Sequence, residues 1–431
     1  ISRLLEHEGM RVLRVQIIND RGAHICKSML AYQKFGRNET PQTEKMKGDH
    51  FVGKYYHLFN EKYESDSKLE EEAQFLLQRW EQNDPAVREL WEKMNAWWYE
   101  GVQQSFAYFG IAFDKNYYES LLFDKGKDIA HHAYSQGKFV KLDNGAIAAP
   151  LKSFNLPDKV VLRSDGTTMY ITQDIYLAQK RFEEYPNLSK IIYIVGSEQE
   201  LHFQQTFAIL QLIGMPQAKQ CYHLSYGLVT RPSGGKVSSR SGEVIIADDI
   251  MRETYELALE ELNKRNPDLA DKIKEHRAKV IGLSAVKFFM LKQDAHKTIE
   301  FDPKESLSFE GQTGPYVLYT LARTYSLLRK ATVKPNMGLG NLLATGKEKE
   351  LIHLLAKKSD IFSNTTAHYS PHILVQYLLE LANAFNSYYH ETPIIQEDKN
   401  AESARMALVQ SINCVLEEGL FVLNIETLKE M

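Results

Sequence analysis

The chain has 431 residues, of which 43% are hydrophobic and 25% charged, and its formal net charge is -4. That length can bury the cores of two or three domains, while the near-neutral balance excludes a globally basic nucleic-acid binder, so any RNA contact must come from local patches. Cys26, Cys221 and Cys414 form no C-x-x-C pair, which leaves no zinc-site spacing and fits a reducing, cytoplasmic setting better than a disulfide framework.

No apolar run approaches the roughly 18 residues of a membrane span, and no signal peptide is visible. Residues 1–9 (ISRLLEHEG) read as the tail of a helix, and a chain that starts there without Met is expected to be a fragment of a longer one. Residues 11–18 (RVLRVQII) form a β-branched run that predicts a buried strand, broken by Asn19-Asp20-Arg21-Gly22. From about 37 to 115 the sequence turns charged and aromatic. Leu76, Leu77, Trp80, Val87, Leu90, Trp91, Met94, Trp97 and Trp98 recur mostly at three- and four-residue steps, which predicts a helical insertion with the tryptophans as its local core.

From Asn155 the pattern becomes α/β. Residues 159–163 and 167–172 flank Ser164-Asp165-Gly166, a hairpin signal, and Thr172 is placed to cap the helix that follows. Residues 190–195 (KIIYIV) read as a fully buried parallel strand, Gly196 and Ser197 break it, and a helix follows through Leu201, Phe203, Phe207, Leu210 and Leu212. Residues 223–229 are a further strand. This alternation predicts a doubly wound sheet, in which ligands bind beyond the carboxyl ends of the strands, where residues 196–199 would lie. Helices are expected from Asp249 onward. Leu374, Leu378, Leu381, Phe385 and Tyr388 trace a core-facing stripe.

Residues 231–242 (RPSGGKVSSRSG) hold three cations, four serines and three glycines after a strand. Glycines admit close backbone approach, and Lys236 and Arg240 with the serine hydroxyls suit a polyphosphate. Composition alone equally describes a solvated loop, and the G-x-x-x-x-G-K-S/T spacing of a P-loop is missing.

Lys236-Val237-Ser238-Ser239-Arg240 resembles the KMSKS signature of class I aminoacyl-tRNA synthetases, in the form used by arginyl-tRNA synthetases. Tyr170-Ile171-Thr172-Gln173-Asp174 resembles the family's Y-x-T-x-D motif, and Gly196-Ser197-Glu198-Gln199-Glu200-Leu201-His202 fits its next conserved segment. Residues 311–323 (GQTGPYVLYTLAR) and 379–389 (LELANAFNSYY) resemble the helical anticodon-binding domain. The resemblance implies a Rossmann-like doubly wound catalytic domain, N-terminally truncated and carrying the insertion, over residues 1–250. A helical connection over 251–310 and an all-α anticodon-binding bundle over 311–431 would follow.

By the same resemblance, ATP would be held by Gly196, His202, Lys236, Ser238, Ser239 and Arg240, with Lys236 and Arg240 acting on the departing pyrophosphate and magnesium accompanying the nucleotide. L-arginine would be bound by Glu119, Tyr170, Asp174 and Gln199. A planar guanidinium with five donors matches a carboxylate fork and an aromatic face. Arg323, Arg329 and Lys330, in a helix without acidic residues, would track the phosphates of tRNA(Arg). No dedicated metal site is expected, and the chain is expected to be a monomer.

Ser241 stands where many arginyl enzymes carry lysine, and Asn19-Asp20-Arg21-Gly22 fits the position of the family's G-D-W-G segment while resembling an N-D-R-G variant of some bacterial enzymes. The large departure is that no H-x-G-H motif occurs. With that and the mid-helix start, the chain by itself is expected to be weakly active or inactive, although its parent would be an arginine–tRNA ligase. The alternatives are a non-catalytic tRNA- or nucleotide-binding paralogue and a cysteinyl specificity.

Overall fold

The computed structural model describes residues 1–64, 67–230 and 246–431. They divide into two compact units. One comprises Ile1–Val12, Tyr193–Gln199 and His223–Met431, the other Leu13–Ile192 and Glu200–Tyr222. The first unit opens with α1 (Ser2–His7), whose Leu4 is buried in that unit's helical core.

The second unit begins with β1 (Val15–Ile18), shorter than the run of residues 11–18 suggested; its register with residues 115–118 covers these four. Helices α2 (Ala23–Phe35), α3 (Gly48–Tyr63), α4 (Lys68–Glu81) and α5 (Pro85–Phe109) follow. Asp84 starts α5 by accepting from the Ala86 and Val87 amides with Pro85 in the first turn, and Gly110 ends it in the left-handed region at φ 69°. The helical insertion is thus present, and Phe51, Tyr55, Phe59, Trp80 and Met94 are its centre, with Trp91 and Trp97 packed against them. Trp98 stays outside that cluster and meets Tyr99 edge-on instead.

The chain then returns as β2 (Lys115–Tyr118), which pairs with β1 in parallel, Val15 opposite Lys115 and Ile18 opposite Tyr118. After α6 (Lys127–Ser135), the strands β3 (Val140–Lys141), β4 (Ile147–Ala149) and β5 (Lys159–Leu162) make an antiparallel sheet. The hairpin signal at residues 164–166 is a real turn, with the Gly166 amide bonding the Arg163 carbonyl at 2.9 Å. Its second arm is a single bridge at Thr168, because α7 (Tyr170–Glu184) begins at once. Thr172 is the third residue of α7, not its cap: its hydroxyl reaches back to the Met169 amide at 3.2 Å and donates to the Val161 carbonyl. Ile171, Ile175 and Ala178 of α7 share a core with Ala208 and Ile209 of α8 (Glu200–Leu212).

Ahead of α8 lies β6 (Ile191–Gly196), which forms a two-stranded sheet with β7 (Cys221–Tyr226). β6 is not fully buried, since Ile194 is 54% exposed. The described strands are grouped in short sheets of two or three strands.

In the first unit, β8 (Val229–Thr230) pairs in parallel with β9 (Ile299–Glu300). Around them run α9 (Ala247–Arg265), α10 (Asp271–Leu291), the short α11 (Pro303–Ser306) and α12 (Gly314–Lys330). A Cβ at Gly314 would lie 2.4 Å from the Ser284 carbonyl oxygen, so only glycine lets the start of α12 rest on α10. Between α12 and the next helix the chain makes a 3-10 turn at Met337–Leu342. α13 (Gly346–Ala356), α14 (Lys358–Ala367), α15 (Pro371–Glu391) and α16 (Lys399–Val422) complete the bundle. The stripe Leu374, Leu378, Leu381, Phe385 and Tyr388 is fully inaccessible, as its spacing required.

Candidate active site

β1 and β2 run side by side and end together at Ile18 and Tyr118, so the segments after them, Asn19–Gly22 and the turn starting at Glu119, emerge at the same carboxyl edge. That edge is where parallel α/β sheets hold ligands. Asp20 is 3% exposed, and its carboxylate accepts from the Ser120 amide at 2.8 Å and the Ser120 hydroxyl at 2.7 Å. This fixes Glu119, which is 5% exposed and whose Oε2 has no hydrogen-bond partner among the described residues.

Tyr170 and Asp174 sit one turn apart at the start of α7, so they share a face. The turn after Glu119 is tied to this helix through the Thr168 hydroxyl, 2.5 Å from the Phe123 carbonyl oxygen. Asp174 Oδ2 lies 2.6 Å from Nε2 of His202, on α8. Tyr170 is 62% exposed, an open aromatic face at the rim.

The charges of this group act on one another. Burial is the largest influence on Glu119 and lifts its carboxyl to about 7; Arg21 opposes the rise, and Asp20 and Asp174 add to it. Burial also raises the Tyr170 phenol, with Glu119 and Asp174 adding and Arg21 opposing. A buried carboxylate oxygen without a donor among the described residues, beside a second carboxylate and an open aromatic ring, has the chemistry to accept a cation. Together they suit a planar cation that donates several hydrogen bonds.

Of the residues singled out in the sequence, Glu119, Tyr170, Asp174 and His202 thus come together in the second unit. Gly196 and Gln199 belong to the first, Gly196 as the last residue of β6 and Gln199 as the end of the 3-10 turn Ser197–Gln199. Lys236, Ser238, Ser239 and Arg240 lie outside the described residues.

In the helical bundle, Arg323 of α12 stacks between Tyr319, 4.8 Å from the ring centre, and Tyr389 of α15, at 4.5 Å, and donates to Asn386 Oδ1. It lines a cavity of 810 Å³ together with Arg265, Lys304, Tyr319, Asn386 and His390. Arg329 faces elsewhere, donating to the Lys429 carbonyl at 3.2 Å with Glu430 at 3.4 Å. Lys330 is exposed at the end of α12. Sequence reasoning had not assigned Asp20, Arg21, Asn386 or Tyr389 to any site. The polar break directly after a strand was the available signal for the first two.

Comparison with known proteins matches residues 1–302 to the catalytic domain of class I tRNA synthetases (R) and residues 317–431 to the DALR anticodon binding domain. The chain belongs to the arginyl-tRNA synthetase family. Arginine–tRNA ligase of Phocaeicola vulgatus is 37% identical over 464 residues, covering 100% of this chain and 76% of the relative. That of Bacteroides thetaiotaomicron is 39% identical over 456 residues with the same coverage. Thermus thermophilus arginyl-tRNA synthetase superposes with a TM-score of 0.81 at 26% identity, covering 100% of this chain and 78% of that one. The Plasmodium falciparum enzyme shares the fold, with a TM-score of 0.80 at 18% identity. Neither the non-catalytic paralogue nor the cysteinyl specificity gains support from these matches.

Proposed function

We propose that the chain is an arginine–tRNA ligase that recognises the L-arginine side chain through Glu119, Asp174 and Tyr170. The observation that carries this is the buried, donor-free Oε2 of Glu119 on the same edge as Asp174. Two carboxylates present acceptors to the guanidinium fork while the tyrosine ring covers its face. Lysine would be refused, because a compact ammonium leaves acceptor oxygens desolvated and unpaired.

Gln199 is proposed to meet the amino end of the substrate, and Gly196 and His202 to lie toward ATP. Lys236, Ser238, Ser239 and Arg240 would close on the β- and γ-phosphates, with magnesium entering as part of the nucleotide substrate. The arginine carboxylate then attacks the α-phosphate and expels pyrophosphate, and a ribose hydroxyl of the terminal adenosine of tRNA(Arg) takes the arginyl group from the adenylate. Positioning and charge stabilisation supply most of the acceleration in such chemistry. Residues 1–250 would serve as catalytic domain, 251–310 as connection and 311–431 as anticodon-binding bundle, with Arg323, and less directly Arg329 and Lys330, on the RNA.

Calorimetric titration with L-arginine and L-lysine tests the reading. Binding of arginine alone is expected, with Asp174→Asn weakening it about 10- to 100-fold, the loss of one charge-assisted hydrogen-bonded pair. Absence of arginine binding, or equal affinity in the variant, would overturn it. ATP–pyrophosphate exchange with tRNA(Arg) measures how far the chain alone carries the reaction.

A further inference from the structure

The side chains of Asp20 and Arg21 grip the Glu119 turn from its two ends. Asp20 takes both donors of Ser120, next to Glu119. Arg21 lies 4.0 Å from the ring centre of Phe123, whose amide bonds the Glu119 carbonyl at 3.0 Å. Both residues are in turn held by the helical insertion. The Trp91 indole donates to the Asp20 carbonyl at 2.6 Å, and the Arg21 guanidinium donates to Glu81 at the end of α4, with Trp80 5.8 Å away. Nε of Arg21 is buried and has no hydrogen-bond partner among the described residues.

We infer that Asp20 and Arg21 are positioning residues for arginine recognition, a two-residue clamp that aims Glu119, places a countercharge beside it, and anchors it to the helical insertion. The inference rests on the proposed role of Glu119 in binding L-arginine. The electrostatic need is plain. Asp20, Glu119 and Asp174 bring three carboxyl groups to one edge; Asp20 and Asp174 add to the rise that burial imposes on Glu119, and a nearby cation limits it. Arg21 is that cation, and the stacked, ion-paired guanidinium cannot swing into the place of the ligand. The groups that bear on Glu119 are Asp20 and Arg21 from the segment after β1 and Tyr170 and Asp174 from α7. Glu81 of α4 acts through Arg21 and His202 of α8 through Asp174.

The test is L-arginine affinity by calorimetry from about pH 6 to about pH 9, on the intact chain and four variants. Arg21→Met is expected to move the midpoint of the affinity curve up by about one pH unit. That weakens binding about fivefold at neutral pH and leaves it nearly normal at the alkaline end. Arg21→Lys should keep the original midpoint. Glu81→Gln, which frees Arg21 from its partner, should move the midpoint down, and it serves as the independent arm if Arg21→Met folds poorly. A loss that is equal at every pH in Arg21→Met, or a midpoint unmoved in Glu81→Gln, would reduce Arg21 to packing and overturn the inference. Glu119→Gln separates this from the reading beneath it. Weakened binding with the midpoint abolished supports both, and weakened binding with the midpoint retained overturns the clamp. Unchanged affinity overturns the arginine pocket itself.

Discussion

His202 Nε2 lies 2.6 Å from Asp174 Oδ2, so α8 holds in place the carboxylate that α7 presents. With one oxygen fixed by the imidazole, the other is aimed rather than free to rotate. His202→Ala should weaken L-arginine binding about tenfold, the usual worth of one hydrogen bond to a charged group. His202→Asn, which retains a donor, should recover part of the loss. Equal affinities across the three proteins would show that the bond does not orient Asp174.

The carboxyl of Glu119, held at about 7 chiefly by burial, makes arginine recognition proton-linked. A raised pKa leaves much of the group protonated at neutral pH, and a bound guanidinium favours the carboxylate, so binding must release a proton. Affinity should accordingly rise between about pH 6 and about pH 8 and then level off. Calorimetry near neutrality in phosphate and in Tris, whose ionisation heats differ, should give different apparent enthalpies with the sign of proton release. Identical enthalpies, or proton uptake, would contradict the assignment.

Arg323 is already stacked between two tyrosines and hydrogen-bonded to Asn386, so its position is set before any RNA arrives. Arg323→Ala should raise the KM for tRNA(Arg) about tenfold, within the range for losing one stacked contact, and leave L-arginine affinity untouched. Arg329→Ala should do less, since that guanidinium is tied to the C-terminal segment through Lys429 and Glu430. An equal effect of both substitutions would mean that a diffuse basic face, not the cavity, meets the RNA.

Glu348 is wholly buried, closes the capping box of α13 with Thr345, and pairs with Arg405 of α16 at 2.9 Å. Removing Arg405 leaves a buried carboxylate without its cation, a change that costs about 3–5 kcal/mol. Arg405→Met should lower the stability of the helical bundle by about that amount in urea unfolding monitored by circular dichroism at neutral pH. A loss below about 1 kcal/mol would show that Thr345 and the Tyr388 hydroxyl, which donates to Glu348 at 3.2 Å, suffice.

Residue type and spacing alone determined the helical insertion, the buried stripe of α15, a helix through Ile175 and Leu177 and the family. Each is a local repeat or a contiguous motif, and side-chain periodicity reports directly on which face is covered. Tertiary structure decided the rest, because it depends on which distant segments share an edge. The parallel pairing of β1 with β2 puts Asp20, and Arg21 where the commoner motif has tryptophan, around Glu119 a hundred residues later. The packing of α7 on α8 turns His202 toward Asp174. Tertiary structure also decided that the Thr172 hydroxyl bonds back to Met169 and to Val161 of β5, and that Arg329 turns away from Arg323. A carboxylate's pKa and the direction of a guanidinium follow from burial and from partners across space. A single sequence does not display those distances.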